Sequence, residues 1–169
     1  MRPLTFCGWC GGPLEDRGPE NGARCDVCDR SWYQNPSPTV GAAIVRKGRV
    51  LITERAREPE KGRFDVPGGF LNAGEDPVDG LRREIKEELN VEIETSVDDI
   101  ISATPHEYGE QGDWTLALGF RARIVEGEPT PADDVASVRW VEESELDQID
   151  WAWPHDRDLA RKALHGDRR

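Results

Sequence analysis

After Cys28 the 169-residue chain contains no cysteine, and its cations fall short of its anions, 22 Lys and Arg against 34 Asp and Glu. Whatever thiol chemistry the protein has is therefore confined to its first 28 residues. The formal net charge of −12 favours solubility and disfavours sequence-independent attachment to nucleic acid or to an anionic membrane. Long apolar runs are missing too: nothing approaches transmembrane length, and "MRPLTFCGWCGG" lacks the apolar stretch of a signal peptide. These shortages lead to the expectation of a soluble cytoplasmic protein without a membrane partner. What is present, 36% hydrophobic residues, is enough for one domain of ordinary size and a small appendage.

The cysteines stand as Cys7-x2-Cys10 and Cys25-x2-Cys28, fourteen residues apart. Two such knuckles on either side of a short polar hairpin can turn four thiolates toward one point, which suits tetrahedral Zn²⁺ with bonds of about 2.3 Å. Glycines at 8, 11 and 12 leave room for the turn. A disulfide pair is the weaker reading in a reducing compartment, and nothing nearby resembles the βαβ unit of a redox CxxC. About 30 residues cannot bury enough apolar surface alone, so the metal is expected to be structural and to supply their folding energy. Residues 1 to 35 carry Arg2, Arg17, Arg24 and Arg30 against Glu15, Asp16, Glu20, Asp26 and Asp29, so no basic patch exists to track phosphates. Nucleic acid is an unfavoured partner. Trp9, Trp32 and Tyr33 instead offer apolar area for packing, either on the rest of the chain or in a homodimer.

"NPSP", residues 35 to 38, reads as a boundary, giving a zinc ribbon over residues 1–35 and a second domain over 38–169. The second begins with "TVGAAIVRKGRVLITERA", two apolar runs around Lys47-Gly48 in the form of a β-hairpin. After the charged loop "REPEKGR" comes "FDVPGGFL", a short strand interrupted by proline and paired glycines. Residues 114 to 124 and 135 to 141 read as strands, and His155 to His165 as a helix with Leu159, Ala163 and Leu164 on one side.

Between these lies "GGFLNAGEDPVDGLRREIKEELNV", residues 68 to 91. Asp76 is a good N-cap, Pro77 fits the first helical position, and Asp79 adds an acid to the first turn. Val78, Leu81, Ile85 and Leu89 make the buried stripe, and Asn90 tolerates the left-handed conformation that ends a helix. At 100° per residue, Glu84, Glu87 and Glu88 fall to one flank of that stripe, with Arg82, Arg83 and Lys86 toward the other. Segregation is costly: Glu84 and Glu88 repel at i,i+4 by roughly 0.2 to 0.5 kcal/mol, and only Arg83 with Glu87 makes an opposite pair at that spacing. A solvated acidic face is one explanation. Three carboxylates converging on a hard divalent cation, Mg²⁺ or Mn²⁺, is the other.

The spacing around these residues separates the two. From Gly69 it runs five residues to Glu75, seven to Arg83-Glu84, then Ile85, Lys86, Glu87-Glu88, Leu89, Asn90 and Val91. This closely resembles the Nudix box, G-x5-E-x7-R-E-U-x-E-E-x-G-U with U apolar, at eight of its nine fixed positions; Asn90 stands where the family has glycine. The resemblance implies an α/β fold, the Nudix α/β/α sandwich with a mixed sheet, and hydrolysis of a nucleoside diphosphate linked to another moiety. It implies that Glu84, Glu87 and Glu88 hold Mg²⁺ or Mn²⁺ with the Gly68 carbonyl, while Glu75 and Arg83 brace the loop. Glu87 or Glu88 is the implied proton acceptor; some family members place the base on a later loop, where Glu107 and Glu110 stand. His106 in the same stretch reads as a surface histidine.

A zinc ribbon ahead of a Nudix domain also resembles the NADH pyrophosphatase branch. Those enzymes carry a Trp-Pro-Phe-Pro core after the box, and residues 92 to 124 contain nothing like it; "WAWPH" at 151 to 155 shares only tryptophan and proline. The small-molecule substrate expected is therefore ADP-ribose-like, with NADH or a capped RNA end, a nucleoside triphosphate to be cleansed, and a non-catalytic ligand sensor as alternatives. An intact set of box glutamates argues against the sensor. For substrate grip the candidates are Arg55 and Arg57 on phosphate oxygens, and Phe64, Tyr108 and Trp114 stacking on a base.

Overall fold

A computed structural model describes residues 4–18, 22–109 and 113–166. The chain forms two compact units: Met1–Pro36 together with Glu107–Trp114, and Ser37–His106 together with Thr115–Arg169.

The first unit holds a small antiparallel sheet of β1 (Leu14–Asp16), β2 (Ala23–Cys25) and β3 (Ser31–Trp32), in the order β1-β2-β3. Two turns of the same design flank it. The Gly11 amide donates to the Cys7 carbonyl at 2.9 Å and the Asp29 amide to the Cys25 carbonyl at 2.8 Å. The residue after each second cysteine is left-handed, Gly11 at φ 71° and Asp29 at φ 60°.

The second unit is built on a mixed sheet of order β11-β5-β4-β10-β8. Its first hairpin joins β4 (Ser37–Arg46) to β5 (Arg49–Arg55) through Lys47 and Gly48, at φ 53° and 73°, the two positive values that a tight hairpin turn needs. Two short strands, β6 (Phe64–Asp65) and β7 (Gly68–Phe70), pair with β5 and β4, so Pro67 splits what the sequence suggested was one strand. Helix α1 (Pro77–Leu89) follows, then β8 (Glu92–Glu94), β9 (Ile100–Tyr108), β10 (Asp113–Glu126), β11 (Val135–Val141) and α2 (Pro154–Gly166). Strand β10 runs parallel to β4, with Phe120 opposite Ala42, while β11 runs antiparallel to β5.

Layering follows from the unbroken apolar run of β4. Ala42 and Ile44 face one cluster with Leu81, Ile85 and Leu89 of α1, Phe120 and Leu51. Ala43 faces the other, with Val50, Ile52, and Leu159, Ala160 and Ala163 of α2. A strand covered by a helix on each face is apolar on both faces, and fully burying a Val, Leu, Ile or Phe side chain in either cluster stabilises the fold by about 1.5–3 kcal/mol. This is the α/β/α sandwich. Strand β9 was missed in the sequence because "IISATPHEY" neither alternates nor avoids proline; Glu107, expected on a loop, lies near its end. Glu110 lies outside the described residues.

Candidate active site

Strand β7 and helix α1 bring the acidic residues together. Asp76 caps α1 by accepting from the Val78 and Asp79 amides, and Asn90 ends it at φ 57°. Two of the carbonyls left over at that end, Leu89 and Glu88, accept from the Thr130 and Ala132 amides at 3.0 and 2.8 Å. Asn90 thus does what glycine does in the family pattern.

Gly68 and Gly69 are required by close approach. A Cβ on Gly68 would lie 2.0 Å from the Val40 carbonyl oxygen, and one on Gly69 would lie 2.5 Å from the Glu84 carboxyl carbon. The backbone here lies directly against the glutamates. The Gly68 amide donates to Glu88 Oε2 at 2.9 Å.

Arg83 stands at the centre of the cluster. Its Nε and Nη2 grip both oxygens of Glu75 at 2.8 and 2.9 Å, Nη1 donates to Glu84 at 2.8 Å and to Glu87 at 3.2 Å, and Nη2 also reaches the Phe70 carbonyl. The expected segregation of charge by sign is therefore incomplete: Arg83 crosses to the acidic flank, because its long stem reaches a loop carboxylate and two helix carboxylates at once. The Arg83 fork and the Asn72 amide hold the Glu75 carboxyl down at about 2.

Glu88 is buried, an unusual place for a glutamate. Desolvation first, then the charges of Asp65, Asp134 and Glu84, push its carboxyl well above the usual range. Desolvation raises Glu84 as well, against the pull of Arg83. Asp65 and Asp134 were not singled out in the sequence, and no spacing rule would have found them. Buried Asp65 accepts from the Thr53 hydroxyl at 2.6 Å and from Arg55 at 2.7 Å. The patch sets Glu75, Glu84, Glu87, Glu88 and Asp65 against Arg83 and Arg55, a surplus of oxygen ligands that is the donor chemistry of a hard divalent cation. Among the described residues, however, the carboxylates do not form a group with ligand atoms mutually within 4.8 Å; Arg83 holds Glu84 and Glu87 while the Gly68 amide holds Glu88.

The four cysteines do form such a group. Sulfurs of Cys7 and Cys28 lie 3.6 Å apart, and those of Cys10 and Cys25 3.5 Å apart. Tetrahedral bonds of about 2.3 Å would put sulfurs roughly 3.8 Å apart, so the cluster is compatible with zinc.

The substrate candidates fare unevenly. Arg55 is tied into the fold: it pairs with Asp65, donates through Nε to the Pro59 carbonyl at 2.7 Å and lies over the Trp153 ring. Arg57 is exposed and pairs with Asp133 at 3.1 Å. Phe64 packs against the α2-side core and exchanges backbone bonds with Asp150 and Ala152. Tyr108 and Trp114 belong to residues 107–114, grouped with the first unit.

His106 is not the surface histidine expected. Its ring is partly buried, 4.1 Å from that of His155 and 5.9 Å from that of Trp153, with the Thr115 hydroxyl 2.9 Å from a ring nitrogen. Burial lowers its pKa, and burial together with His106 brings His155 down to about 4. Beside them Asp156 is buried, its carboxyl raised well above the usual range by desolvation and by Asp65. No spacing in the sequence signals this group.

A NUDIX domain profile matches residues 35–163. A protein of Mycobacterium tuberculosis (strain H37Rv) called "Putative 8-oxo-dGTP diphosphatase 2" is 39% identical over 128 residues, 72% of this chain and 86% of that protein. The "NAD-capped RNA hydrolase NudC" of Pseudomonas putida (strain W619) is 30% identical over 166 residues, 95% of this chain but 54% of that one. The chain thus spans about half the length of that relative. Among solved structures, a NUDIX hydrolase of Nitrosomonas europaea superimposes with a TM-score of 0.76 at 27% identity, covering 96% of this chain and 91% of its own. Among the described residues no helix is long and apolar enough to cross a membrane. With the profile spanning most of the chain and a relative 39% identical over 72% of it, the chain belongs to the Nudix family and is a Nudix hydrolase.

Proposed function

We infer that the chain hydrolyses the diphosphate linkage of a nucleoside diphosphate joined to another moiety, ADP-ribose-like, with Mg²⁺ or Mn²⁺ at the carboxylate cluster and Zn²⁺ in the ribbon. The observation that carries this is the desolvated set of Glu84 and Glu88 against the Gly68-Gly69 backbone, which costs stability unless a cation uses it.

In this reading Glu84, Glu87, Glu88 and the Gly68 carbonyl would hold the divalent ion, which would neutralise diphosphate oxygens and lower the pKa of an attacking water. Everything else falls to the chain. Glu75 grips Arg83 with both oxygens, and Arg83 in turn fixes Glu84 and Glu87. The Gly68 amide orients Glu88. Glu87, the exposed member, or Glu88 takes the proton of the water. Trp153 and His106 offer ring faces to a base, and Asp156 a polar group beside them.

A second reading, cleansing of oxidised nucleoside triphosphates, draws on the M. tuberculosis relative, which this chain covers over 86% of its length. A panel of ADP-ribose, NADH, dinucleoside polyphosphates, nucleoside triphosphates and NAD-capped RNA with Mg²⁺ or Mn²⁺ tests both. AMP and ribose phosphate from ADP-ribose support the first; pyrophosphate released from a triphosphate at higher kcat/KM replaces it with the second.

A further inference from the structure

On the face of the sheet opposite α1, a cavity of about 340 Å³ opens between β9 and α2. Its lining includes Ser102 and Thr104 from the strand and His155, Leu159, Lys162 and His165 from the helix. The volume lies in the range of small-molecule sites.

The donors in it divide into satisfied and spare. Arg161, also in the lining, is held by Asp147 at 2.7 Å, and His165 by Glu143. Asp158, the acid of the lining, takes two bonds from Arg157 at 3.1 and 3.2 Å. By contrast, among the described residues the Lys162 ammonium and the Ser102 and Thr104 hydroxyls make no hydrogen bond or ion pair. Lys162 is exposed and stands one turn along α2 from Asp158 of the same lining.

An ammonium and two hydroxyls line the groove as donors without a partner among the described residues, and a phosphate group, rich in acceptor oxygens and able to bond an ammonium from any direction, matches them better than a planar carboxylate.

We propose that the β9–α2 groove is an anion site for a phosphate-bearing small molecule, separate from the cluster on α1. It takes the phosphate on Lys162, Ser102 and Thr104, with Leu159 as an apolar floor for whatever the phosphate is attached to.

Amide NMR of the ¹⁵N-labelled full chain tests this, with inorganic phosphate and adenosine monophosphate titrated separately at constant ionic strength. Saturable shifts are expected at residues 102, 104 and 158–165, weakened about tenfold or more in Lys162→Ala, since a charge-assisted bond to an exposed ammonium is lost without disturbing the core. Equal saturation by both probes identifies free phosphate as the ligand; tighter binding of the nucleotide identifies a phosphate monoester. Glu84→Gln must leave these shifts intact whatever it does to hydrolysis, which keeps this site's fate apart from that of the proposed reaction. Shifts confined to residues 68–91, or groove shifts equal in wild type and Lys162→Ala, overturn the proposal.

Discussion

In the first unit four sulfurs lie mutually within 4.8 Å before any ion is considered, whereas on α1 the box glutamates are drawn to Arg83 and to the Gly68 amide. The contrast reflects how each set of ligands is positioned. Cysteine has one rotatable bond between backbone and ligand atom, so two backbone turns of the same design suffice to aim the thiols. Glutamate has three, and like charges spread unless something holds them. Arg83 is that holder, a guanidinium fixing by hydrogen bonds what the thiols owe to their turns. A thiolate cluster of this kind suits an ion that stays, a glutamate cluster one that binds with substrate and exchanges.

The largest effect should come from breaking the first of these sites. Cys25→Ser removes a buried thiol at the end of β2 and should abolish zinc retention and unfold residues 1–36. Elemental analysis of protein purified without added metal is expected to find about one zinc per chain in the wild type and none in the variant. A zinc-free wild type with intact near-ultraviolet dichroism would refute the thiolate half of the comparison.

Next come Glu84→Gln and Glu88→Gln. Both keep length and shape while removing a charge, so turnover should fall by more than the roughly 10–100-fold that loss of a supporting partner costs. Stability should move the other way, upward in Glu88→Gln, because a buried carboxylate is exchanged for a neutral amide that still accepts from Gly68. Turnover within threefold of wild type in both variants would mean that the acidic patch is not the metal site.

How much of this was legible beforehand follows the same contrast. Local periodicity exposed α1, its cap and its stripe, the hairpin around Lys47-Gly48, and α2, because each depends on neighbours in sequence. The box spacing exposed Glu75 and Arg83 for the same reason. Asp65, Asp134, Asp156 and the ring pair of His106 and His155 were illegible because tertiary pairing alone assembles them: β6 lies against β5, and β9 lies beside β10. The pairing of Arg55 was illegible as well, because its partner Asp65 lies ten residues away across a strand pair. The ribbon's similar turns were hidden as well, since Gly11 and Asp29 meet one backbone requirement with different side chains.

A smaller effect separates the buried polar groups behind the acid cluster from the cluster itself. His155 falls from 6.5 to about 4, by burial first and by His106 second, with Asp158 pulling weakly upward. A folded pKa below the unfolded value means the charged form is disfavoured in the native state. The stability His155 contributes is present above pH 6.5 and lost as pH falls from 6.5 toward about 4, by at most about 3 kcal/mol. Asp156, raised well above its ordinary value, acts in the opposite sense, losing stability as pH rises through its folded pKa. The difference between wild type and His155→Gln isolates the histidine. Urea unfolding at pH 7 and pH 5 should show the variant losing less stability than wild type, and equal losses would show that His155 titrates normally.

The smallest effect concerns the left-handed positions common to both sites: Gly11 at φ 71° and Asp29 at φ 60° in the turns, Asn90 at φ 57° after α1. Glycine adopts this region at no steric cost, and asparagine does so more readily than other residues with a Cβ. Asn90→Gly gains backbone ease but loses the exposed bond from Nδ2 to the Thr130 hydroxyl at 3.2 Å, and the two should cancel to within about 0.5 kcal/mol. Asn90→Val has neither advantage and places a β-branched side chain in the disfavoured region, so it should cost about 1–2 kcal/mol. Thermal unfolding of the two variants against wild type measures both. A large loss in Asn90→Gly would mean that the side-chain bond to Thr130, rather than the backbone conformation, ends the helix, and that the departure from the family glycine had been compensated by the loop at 127–134.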